Sequence, residues 1–537
     1  MREAQLVSAA LPRKFVDQAH LEISSRLLMA ALREDLGGWG HHVERHGKVL
    51  RLADLEAEPV RPTSMGRFEL ERFPTLCGEP VERVEHLLDF LDLEGDEVLR
   101  REVSESAFNL ALVLEARTRR VSGPALAAWR DEQRRTPEAS SLAFFEQLIF
   151  RGHPVHPGAR LRQGMTLEEQ RRWAPEWESR FPLPLLGLDP GAVVDRQFQA
   201  PMRSLFPELD PALAWLPMHP WQLQHVVPRL GIEGPVAEGY RVRPSMSLRT
   251  LVPDQRGSLP HFKTALAVRI TGAMRTVSVQ AASNGPKLTA LLARSEFRSN
   301  SLTILKETGS LHWRHEDPDR AKLMSVVMRQ NPEVFSRQTD LLMPAAALIE
   351  PIVGQPLVAE VIGERDPLAW FREYAGALLR PLLRLMSDYG IALEAHLQNV
   401  VVRFRDGSPP HFFYRDFGGV RLFTPRLQPH VAESLDFAPD SATVTERVDE
   451  LWSKLNYPVL QNHLGELIRA LVLHFETREA ALWEPVRELL EAHLTRPEER
   501  DWFLASRWRL KAMTRMRLRE QVTEYSYAEV ESPLWRA

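Results

Sequence analysis

The periodicity of the sequence changes twice along the chain, and this change constrains the fold more than any other feature. Apolar residues follow helical spacing in residues 1 to about 140 and again after about residue 340. Between these parts, residues 261–271 (HFKTALAVRIT) alternate apolar and polar side chains, which is the period of a strand. The pattern predicts an α+β chain with a central antiparallel sheet between a largely helical N-terminus and a largely helical C-terminus.

Several elements can be predicted from local patterns. A second strand is expected at 274–280, and an extended segment at 243–250. Helical spacing runs from Trp370 to Met386 with a stop at Gly390. A hairpin is expected from 400–404 and 411–416, and an apolar stripe marks a helix at 460–471.

Composition excludes several classes of protein. With 44% hydrophobic and 26% charged residues and a net charge of -4, the chain reads as a soluble protein that binds neither nucleic acid nor membrane. The single cysteine, Cys77, excludes an internal disulfide and a cluster held by several cysteines, which suits the cytoplasm. The first fifteen residues contain Pro12, Arg13 and Lys14 and do not resemble a signal peptide.

A histidine- and arginine-rich segment, GHPVHPGARLRQG, spans residues 152–164. A zinc site at His153 and His156 is disfavoured, because residues before proline are extended and side chains three apart then point to opposite faces. Together with Arg160 and Arg162, the histidines suit a phosphate or carboxylate ligand. The alternative is a rigid proline turn with solvated arginines.

A second polar segment, RPSMSLRT, spans residues 243–250. On an extended strand Ser245, Ser247 and Arg249 share a face, which offers hydroxyls and a guanidinium to a triphosphate. The alternative is an exposed polar face. Lys263 and Thr271 follow, but eight residues of straight strand span roughly 26 Å. Both can touch one nucleotide only if the strand bends or the ligand lies along it.

A third group of polar residues lies around the predicted C-terminal hairpin, in EAHLQN (394–399) and RDFGG (415–419). Asn399 and Asp416 carry the oxygen ligands that Mg²⁺ prefers, and His396 can donate to a phosphoryl oxygen. The alternative is a structural His–Asp pair.

The order of these motifs, with MHPWQ at 218–222, resembles the IucA/IucC family of siderophore synthetases, which work independently of nonribosomal peptide synthetases. The resemblance implies a cupped-hand fold with a thumb at 1–140, fingers at 141–345 and a palm at 346–537. It also implies ATP and Mg²⁺ as cofactors, and transfer of a carboxylate of a small polycarboxylic acid such as citrate, through an acyl adenylate, to a polyamine or amino alcohol. AMP and pyrophosphate would be the other products, and a homodimer is common in the family.

The resemblance also assigns roles to residues by position. Catalysis falls to Arg275, His396 and Lys263, near the α-phosphate and the carboxylate. Metal binding falls to Asp416, Asn399 and Glu394. The nucleotide-binding positions are Ser247, Arg249, Lys263, Thr271, Arg275, His156, Asn399 and Asp416. The family usually has a lysine where this chain has Arg160, so the role of that position is open.

Two other classes of function are compatible with parts of the sequence. The run from His396 to Asn399, followed by RDFG, is similar to a kinase catalytic loop, although no aspartate base lies between His396 and Asn399. A noncatalytic siderophore-binding or iron-reductase-like protein is the other alternative, and the single cysteine disfavours the reductase. Consumption of ATP distinguishes a synthetase from a binding protein.

Overall fold

The structure is a computed structural model that describes residues 11–46, 48–93, 95, 97–120, 123–271, 273–406, 408–431, 437, 441–519 and 526–535. The prediction that the chain has no signal peptide concerns residues 1–15, and of these residues 1–10 lie outside the described ranges. Within the described ranges, no helix combines the length and the apolar composition that crossing a membrane requires.

The N-terminal part is built on long helices, as predicted, and adds short strands that the sequence did not indicate. Its helices are α1 (Arg13–Arg33), α2 (Trp39–His42), α3 (Val84–Leu91), α4 (Glu97–Arg120) and α5 (Ala125–Arg135). Its strands are β1 (Glu44–His46), β2 (Val49–Leu52), β3 (Leu55–Ala57), β4 (Pro59–Thr63), β5 (Arg67–Leu70), β6 (Thr75–Leu76) and β7 (Glu79–Pro80). An antiparallel sheet in the order β1-β2-β3-β6-β7 and the hairpin β4-β5 pack beside α1 and α4.

The middle of the chain contains the predicted antiparallel sheet. Over the residues described, its order is β10-β8-β11-β12-β13-β18-β17-β9. The strands are β8 (Phe181–Leu188), β9 (Val193–Arg196), β10 (Ala214–Pro217), β11 (Val236–Pro244), β12 (Thr250–Pro253), β13 (His261–Thr264), β14 (Leu266–Ile270), β15 (Ala273–Arg275), β16 (Leu302–Ile304), β17 (Glu307–Trp313) and β18 (Ser325–Arg329). The helices of this part are α6 (Ser141–Glu146), α7 (Leu167–Trp173), α8 (Gln199–Leu205), α9 (Pro220–His225), α10 (Val279–Leu292) and α11 (Pro318–Ala321).

The alternating stretch 261–271 is extended but broken at Ala265. β13 belongs to the large sheet, whereas β14 leaves it to pair with β15 in a separate hairpin. Side chains and neighbouring strands satisfy the backbone at the break: Ala265 N donates to Ser325 O at 2.9 Å, and Ala267 N donates to Gln222 Oε1 at 2.8 Å. The chain therefore bends between Lys263 and Thr271, which is one of the two conditions under which both residues could touch one nucleotide.

Two predicted strands are shorter than expected. The segment 245–249 is not a strand but the turn that joins β11 to β12, with Leu248 at a φ of 68°. Residues 274–280 are a strand only as far as Arg275, because Ser278 caps the first turn of α10 through a 3.1 Å bond from Ala281 N.

The C-terminal part follows the predictions more closely. The predicted helix is α14, which begins after the cap Asp366 and ends at Gly390, whose φ of 69° suits a glycine cap. The hairpin is β23-β24, within a sheet of order β16-β24-β23-β19. The helices are α12 (Ala345–Leu348), α13 (Leu357–Ile362), α14 (Pro367–Tyr389), α15 (Thr424–Leu427), α16 (Val448–Leu455), α17 (Gly465–Phe475), α18 (Glu479–His493), α19 (Pro497–Phe503) and α20 (Met513–Leu518). The strands are β19 (Leu341–Pro344), β20 (Pro351–Ile352), β21 (Gln355–Pro356), β22 (Ile391–Ala392), β23 (Val400–Arg405), β24 (Ser408–Tyr414), β25 (Arg421–Phe423), β26 (Val444–Thr445), β27 (Arg507–Lys511) and β28 (Tyr527–Glu531).

A π-helix, Asn456–Leu464, connects α16 to α17. The predicted stripe at 460–471 is therefore helical, but its first half is π rather than α. Leu460, Leu464, Leu467, Ile468 and Leu471 are buried in the largest apolar cluster, as core packing predicts.

Candidate active site

A cavity of about 1200 Å³ lies between the N-terminal helices, the segment 151–162, the hairpin β14-β15 and the C-terminal helices. Pockets for small ligands usually measure about 300–1,000 Å³, so this cavity has room for more than one substrate. Residues from all the predicted polar motifs line it: His156, Ser247, Thr271, Arg275, Glu394 and His396. Of the remaining predicted residues, Arg249, Lys263 and Asp416 form a charged network, and Asn399 bonds to the backbone of Glu394.

A buried lysine–aspartate pair forms the centre of that network. Lys263 on β13 donates to Asp416 Oδ1 at 2.5 Å, and Arg329 NH2 lies 4.0 Å from Asp416 Oδ2. Burial acts to raise the pKa of Asp416, but the charges of Lys263, Arg329 and Arg249 outweigh it and lower the pKa below its usual range. Burial and the two arginines lower the pKa of Lys263 to about 8, although Asp416 opposes them. The site therefore concentrates positive charge around one carboxylate.

The segment 394–399 is held from both sides. Asn399 Nδ2 donates to Glu394 O at 3.1 Å, and Gln398 N donates to His396 Nδ1 at 3.2 Å. On the other side, Lys454 pairs with Glu394 at 2.9 Å. Burial lowers the pKa of His396, while Glu394 and Asp416 oppose that shift. His396 is therefore neutral near pH 7, and because its Nδ1 accepts from Gln398 N, its Nε2 carries the proton and can donate one hydrogen bond.

His463 and Gly419 also contact the segment 394–399. His463, on the π-helix, donates through Nδ1 to Ala395 O at 3.0 Å and accepts from Tyr374 OH at 2.7 Å. Gly419 approaches so closely that a Cβ there would lie 1.8 Å from a Glu394 carboxylate oxygen. Any side chain at Gly419 would displace Glu394, which explains the glycine in RDFGG.

The donor set around Asp416 fits a magnesium ion chemically. Asp416 supplies a carboxylate, and the amide oxygen of Asn399 accepts no hydrogen bond among the described residues. Glu394 is the third predicted ligand, but Lys454 occupies its Oε1. Within the described ranges, no three histidine, cysteine, aspartate or glutamate side chains cluster closely enough to hold a metal on their own. A metal here would need further ligands, such as the oxygens of a bound triphosphate.

The arginine at the end of β15 projects into the cavity without a carboxylate partner among the described residues. Arg275 NH2 donates to Thr271 Oγ1 at 2.6 Å, and Thr271 has a φ of 50°. Burial, followed by the charges of Arg249 and Arg162, lowers the pKa of Arg275 to about 10. Arg275 remains a cation at neutral pH, available to an anionic ligand.

The hydroxyl groups of the turn 245–249 bond to each other rather than forming a flat strand face. Ser247 Oγ lies 2.9 Å from Ser245 Oγ and 3.1 Å from Thr250 Oγ1. Arg249 NH1 contacts Thr276 O, and its backbone oxygen accepts from Thr264. The turn still presents Ser247 to the cavity, so the predicted residue is in place although the predicted strand is wrong.

The two histidines of the first motif bond to their own backbone. His156 Nδ1 accepts from Gly158 N at 2.9 Å, His153 Nδ1 accepts from Val155 N at 3.4 Å, and the two rings are edge-to-face with centroids 6.2 Å apart. Burial, and then Arg26 and Arg275, lower the pKa of His156 to about 4. Both δ-nitrogens accept from backbone N–H groups, which leaves the ε-nitrogens for a ligand, and the absence of zinc here stays a prediction.

The arginines of the same motif are not solvated. Arg160 and Arg162 both contact the buried Glu176, Arg162 at 3.3 Å through Nε. Arg162 lines the same cavity as Arg275, and its charge helps to lower the pKa of Arg275. The alternative of a proline turn with exposed arginines is therefore wrong.

Several residues that support the site were not singled out from the sequence. Arg329 and Lys454 balance the acidic residues, Glu176 pairs with the arginines, and Gln222 of MHPWQ binds the broken strand. Trp221 of the same motif donates to Gly164 O at 3.1 Å and so ties MHPWQ to the first motif. Of these residues, only Gln222 and Trp221 could have been found from the sequence, because MHPWQ has a place in the order of motifs.

Comparisons with known proteins agree with this geometry. A model described as "IucA / IucC family" matches residues 141–350, and one described as "Ferric iron reductase FhuF-like transporter" matches residues 368–526. The chain is 28% identical to D-ornithine–citrate ligase of Staphylococcus aureus over 73% of this chain and 70% of that protein. It is 25% identical to staphyloferrin A synthase of the same organism over 96% of this chain and 98% of that protein.

The fold is shared with a solved structure, ATP-bound aerobactin synthetase IucA from Klebsiella pneumoniae. The TM-score is 0.78 at 21% identity, over 96% of this chain and 99% of that chain. The predicted α+β synthetase fold is therefore confirmed. The motifs that line the cavity and these similarities point the same way: residues 141–350 match the IucA/IucC family, and the chain is similar to staphyloferrin A synthase over nearly its whole length.

Proposed function

We propose that the protein is an ATP-dependent siderophore synthetase that adenylates one carboxylate of a small polycarboxylic acid and condenses it with an amine or alcohol. The observation that carries the proposal is the positive network of Lys263, Arg249 and Arg329 around Asp416, next to the cavity into which Arg275 projects. The relatives named for citrate ligation support citrate as the first acid to test.

Adenylation joins two anions, so the site must supply cations rather than a strong base. A carboxylate oxygen attacks the α-phosphorus of ATP, the bond to the bridging oxygen breaks, and pyrophosphate leaves with the electron pair. Lys263, Arg249 and Arg275 stabilise the added negative charge, and neutral His396 donates to a phosphoryl or carboxyl oxygen. The amine then attacks the acyl carbon, AMP leaves, and the proton lost from nitrogen passes to solvent.

ATP binds at the predicted residues that line or adjoin the cavity. Ser247, Arg249, Lys263, Thr271, Arg275 and His156 contact its phosphates or ribose in this proposal, and the ATP-bound relative supports the choice of nucleotide. Asp416 and Asn399, with Glu394 beside them, would hold Mg²⁺, which would neutralise charge on the triphosphate. We also propose that the protein forms a homodimer and works in the cytoplasm, where ATP is supplied.

The acid should carry at least two carboxylates. Arg275 meets the reacting carboxylate, while Arg162 adds positive charge to the same cavity. Arg160 and Arg162 share the one carboxylate of Glu176, and an incompletely balanced cation in a closed site is costly, so a second carboxylate of the acid would balance it. A monoacid lacks that contact and should react about tenfold to a hundredfold more slowly.

The alternatives find less support. A kinase needs an aspartate base, but the residues between His396 and Asn399 are Leu397 and Gln398. The match to the iron-reductase family covers the C-terminal part only. The single cysteine, Cys77, is exposed, and one cysteine cannot hold a cluster of several thiolates.

Purified protein should be incubated with ATP, Mg²⁺ and a panel of acids, with hydroxylamine as a generic nucleophile. We expect hydroxamate with citrate and other polycarboxylates, much less with acetate, and AMP with pyrophosphate in the phosphorus NMR spectrum. Arg275→Ala should lower kcat/KM by about tenfold to a hundredfold, whereas the exposed Arg507→Ala should not. ADP as the main product would favour the kinase, and acetate used as well as citrate would refute the polycarboxylate assignment.

A further inference from the structure

A second group of charged side chains lines the same cavity, and the proposed adenylation does not use it. We call it the seam cluster: Glu22 and Arg26 on α1, Arg117 on α4, Arg151 before the first motif, and Glu350 after α12. Arg151 lies 3.2 Å and Arg26 lies 3.8 Å from Glu22, and Arg117 lies 3.7 Å from Glu350. Arg26 also donates to Arg151 O at 3.2 Å. Glu350 accepts from Arg151 N at 3.2 Å, so the backbone of Arg151 joins the pair of Arg117 and Glu350 to the other residues.

The seam cluster carries more positive than negative charge. Three arginines share two glutamates, and burial raises the pKa of Glu350 although Arg117 and Arg151 oppose that shift. At the rim of the cluster Glu69 pairs with Arg469 at 3.0 Å, and Arg61 adds another cation to the cavity wall. Arg26 is only 7% exposed, so solvent does little to screen its charge.

The seam cluster and the adenylation residues lie on the wall of one cavity. Arg26 donates to Arg151 O at 3.2 Å, and Arg151 precedes His153 by two residues. His153, Arg26 and Arg275 all line the cavity, and the charges of Arg26 and Arg275 add to the burial that lowers the pKa of His153. A molecule bound at the seam cluster would therefore share the cavity with the reacting carboxylate.

Resting on the proposed function, we propose that the seam cluster binds a carboxylate carried by the nucleophile, so that the second substrate is an amine of the amino-acid type. A buried arginine without a full counter-charge is costly, and a carboxylate held by two arginines makes strong, directional hydrogen bonds. The acid substrate is less suited to balance the arginines of the seam cluster, because its carboxylates already face Arg275 and Arg162. The free amine of the nucleophile then faces the acyl adenylate.

A simple diamine fits this wall poorly. Its second ammonium group would add positive charge to a surface that already has an excess of it, and like charges at close range repel. The chemistry itself is unchanged. The amine nitrogen forms a bond to the acyl carbon, the bond between that carbon and the AMP oxygen breaks, and one proton passes to solvent.

Matched pairs of amines that differ only in the carboxylate test the inference. Ornithine is compared with 1,4-diaminobutane, and 2,3-diaminopropanoate with 1,2-diaminoethane, each with ATP and citrate. Amide formation is followed by mass spectrometry, and kcat/KM is obtained for each amine. We expect the carboxylated member of at least one pair to be favoured by about tenfold or more, the loss expected for one charge-assisted bond.

Substitutions in the seam cluster then assign that preference to its residues. Arg151→Gln and Arg117→Gln should each lower kcat/KM for the carboxylated amine about tenfold and leave the diamine nearly unchanged, and Arg151→Lys should restore part of the loss. Arg134→Gln, an exposed arginine paired with Asp131, is the control and should change neither value. Rates are normalised to the exchange of pyrophosphate into ATP measured for the same variant, which separates a folding defect from a loss of selectivity.

The two proposals fail in different ways. If no acid supports exchange of pyrophosphate into ATP, the proposed function is wrong. If exchange occurs but diamines react as well as their carboxylated partners, only the inference about the nucleophile is wrong. An equal loss for both members of a pair in Arg151→Gln would also contradict it.

Discussion

At the scale of single residues, the site depends on cations that are held charged inside the protein. Lys263 is 6% exposed, and burial alone would favour its neutral form. Asp416 counters this effect, while Arg249 and Arg329 add to it. Because the lysine titrates near pH 8 in the free protein, its charge is the part of the site most sensitive to alkaline pH.

We expect the affinity for ATP to fall as the pH rises through about 8. The pKa of Lys263 is lowered to about 8, so the lysine is charged below that pH and progressively neutral above it. The Kd for ATP, measured by calorimetry without an acid substrate, should rise by up to about tenfold between pH 8 and 9.5. Bound triphosphate favours the charged lysine and so raises the pKa of Lys263 in the complex. The rise in Kd therefore extends toward the upper end of that pH range.

Lys263→Arg is the matched variant for this prediction. A guanidinium keeps its charge over the same range, so the pH dependence of the Kd should flatten even if affinity at pH 7 decreases. An unchanged alkaline transition in Lys263→Arg would assign the titration to another group.

The residues of the site could be predicted by type and by order in the chain, but their partners could not. Ser247, Thr271, Arg275 and His396 all line one cavity as expected. Glu176 and Lys454, by contrast, are ordinary charged residues in helical sequence, and only the fold brings them to Arg162 and Glu394. Pairings between distant charges depend on tertiary packing, which local periodicity does not encode.

At the scale of elements, patterns with a single strong cause were predicted and patterns with competing causes were not. The long helix α14 has a capping aspartate, a helical stripe and a glycine stop, and all three agree. In 245–249 the alternation of polar residues suggested a strand, but side-chain hydroxyls that bond locally favour a turn. The short strands β1 to β7 contain two to five residues each, too few for a period to be recognised.

The glycine at the end of α14 gives a stability prediction. Gly390 has a φ of 69° and ψ of 30°, and a Cβ there would lie 2.9 Å from both Arg426 Cβ and Phe423 O. Gly390→Ala should therefore cost about 1–2 kcal/mol for the left-handed backbone and a further ~1–3 kcal/mol for the crowding. The free energy of unfolding is measured by urea denaturation.

Gly231 provides the control for that measurement. Its φ of 67° and ψ of 27° match those of Gly390, but a Cβ there would meet nothing within 4 Å. Gly231→Ala should cost only the backbone part, about 1–2 kcal/mol. Equal losses in the two variants would show that the neighbours of Gly390 can move aside.

At the scale of the whole molecule, buried ion pairs join the two ends of the chain around the cavity. Glu102 on α4 accepts from Arg517 on α20 at 2.8 and 2.9 Å, and Arg67 pairs with Glu466 at 2.9 Å. Glu34 accepts from Arg515 N at 2.8 Å. These contacts hold the N-terminal helices against the C-terminal helices and so fix the walls between which the substrates bind.

Breaking one of these pairs should destabilise the whole protein. Arg517→Met leaves Glu102, which is 2% exposed, without its bidentate partner and should cost about 3–5 kcal/mol of unfolding free energy. Adding Glu102→Gln should recover part of that loss, because no buried charge then remains. The exposed pair of Arg372 and Glu488 serves as the comparison, and Arg372→Met should change the free energy by less than about 1 kcal/mol. A comparable, small loss in both single variants would show that water reaches Glu102.

The π-helix Asn456–Leu464 has a consequence for how the cavity tolerates a change in chain length. A π-turn holds one more residue than an α-turn, as if a single residue had been inserted into a regular helix. Because the wider turn absorbs that residue, deleting it should leave Arg469 and His474, which line the cavity from α17, on the same wall. His463 lies inside the π-helix and bonds to Ala395 O, so the deletion would act on the segment that carries Glu394, His396 and Asn399. The loss of one codon here would thus disturb one end of the cavity and spare the wall that α17 forms.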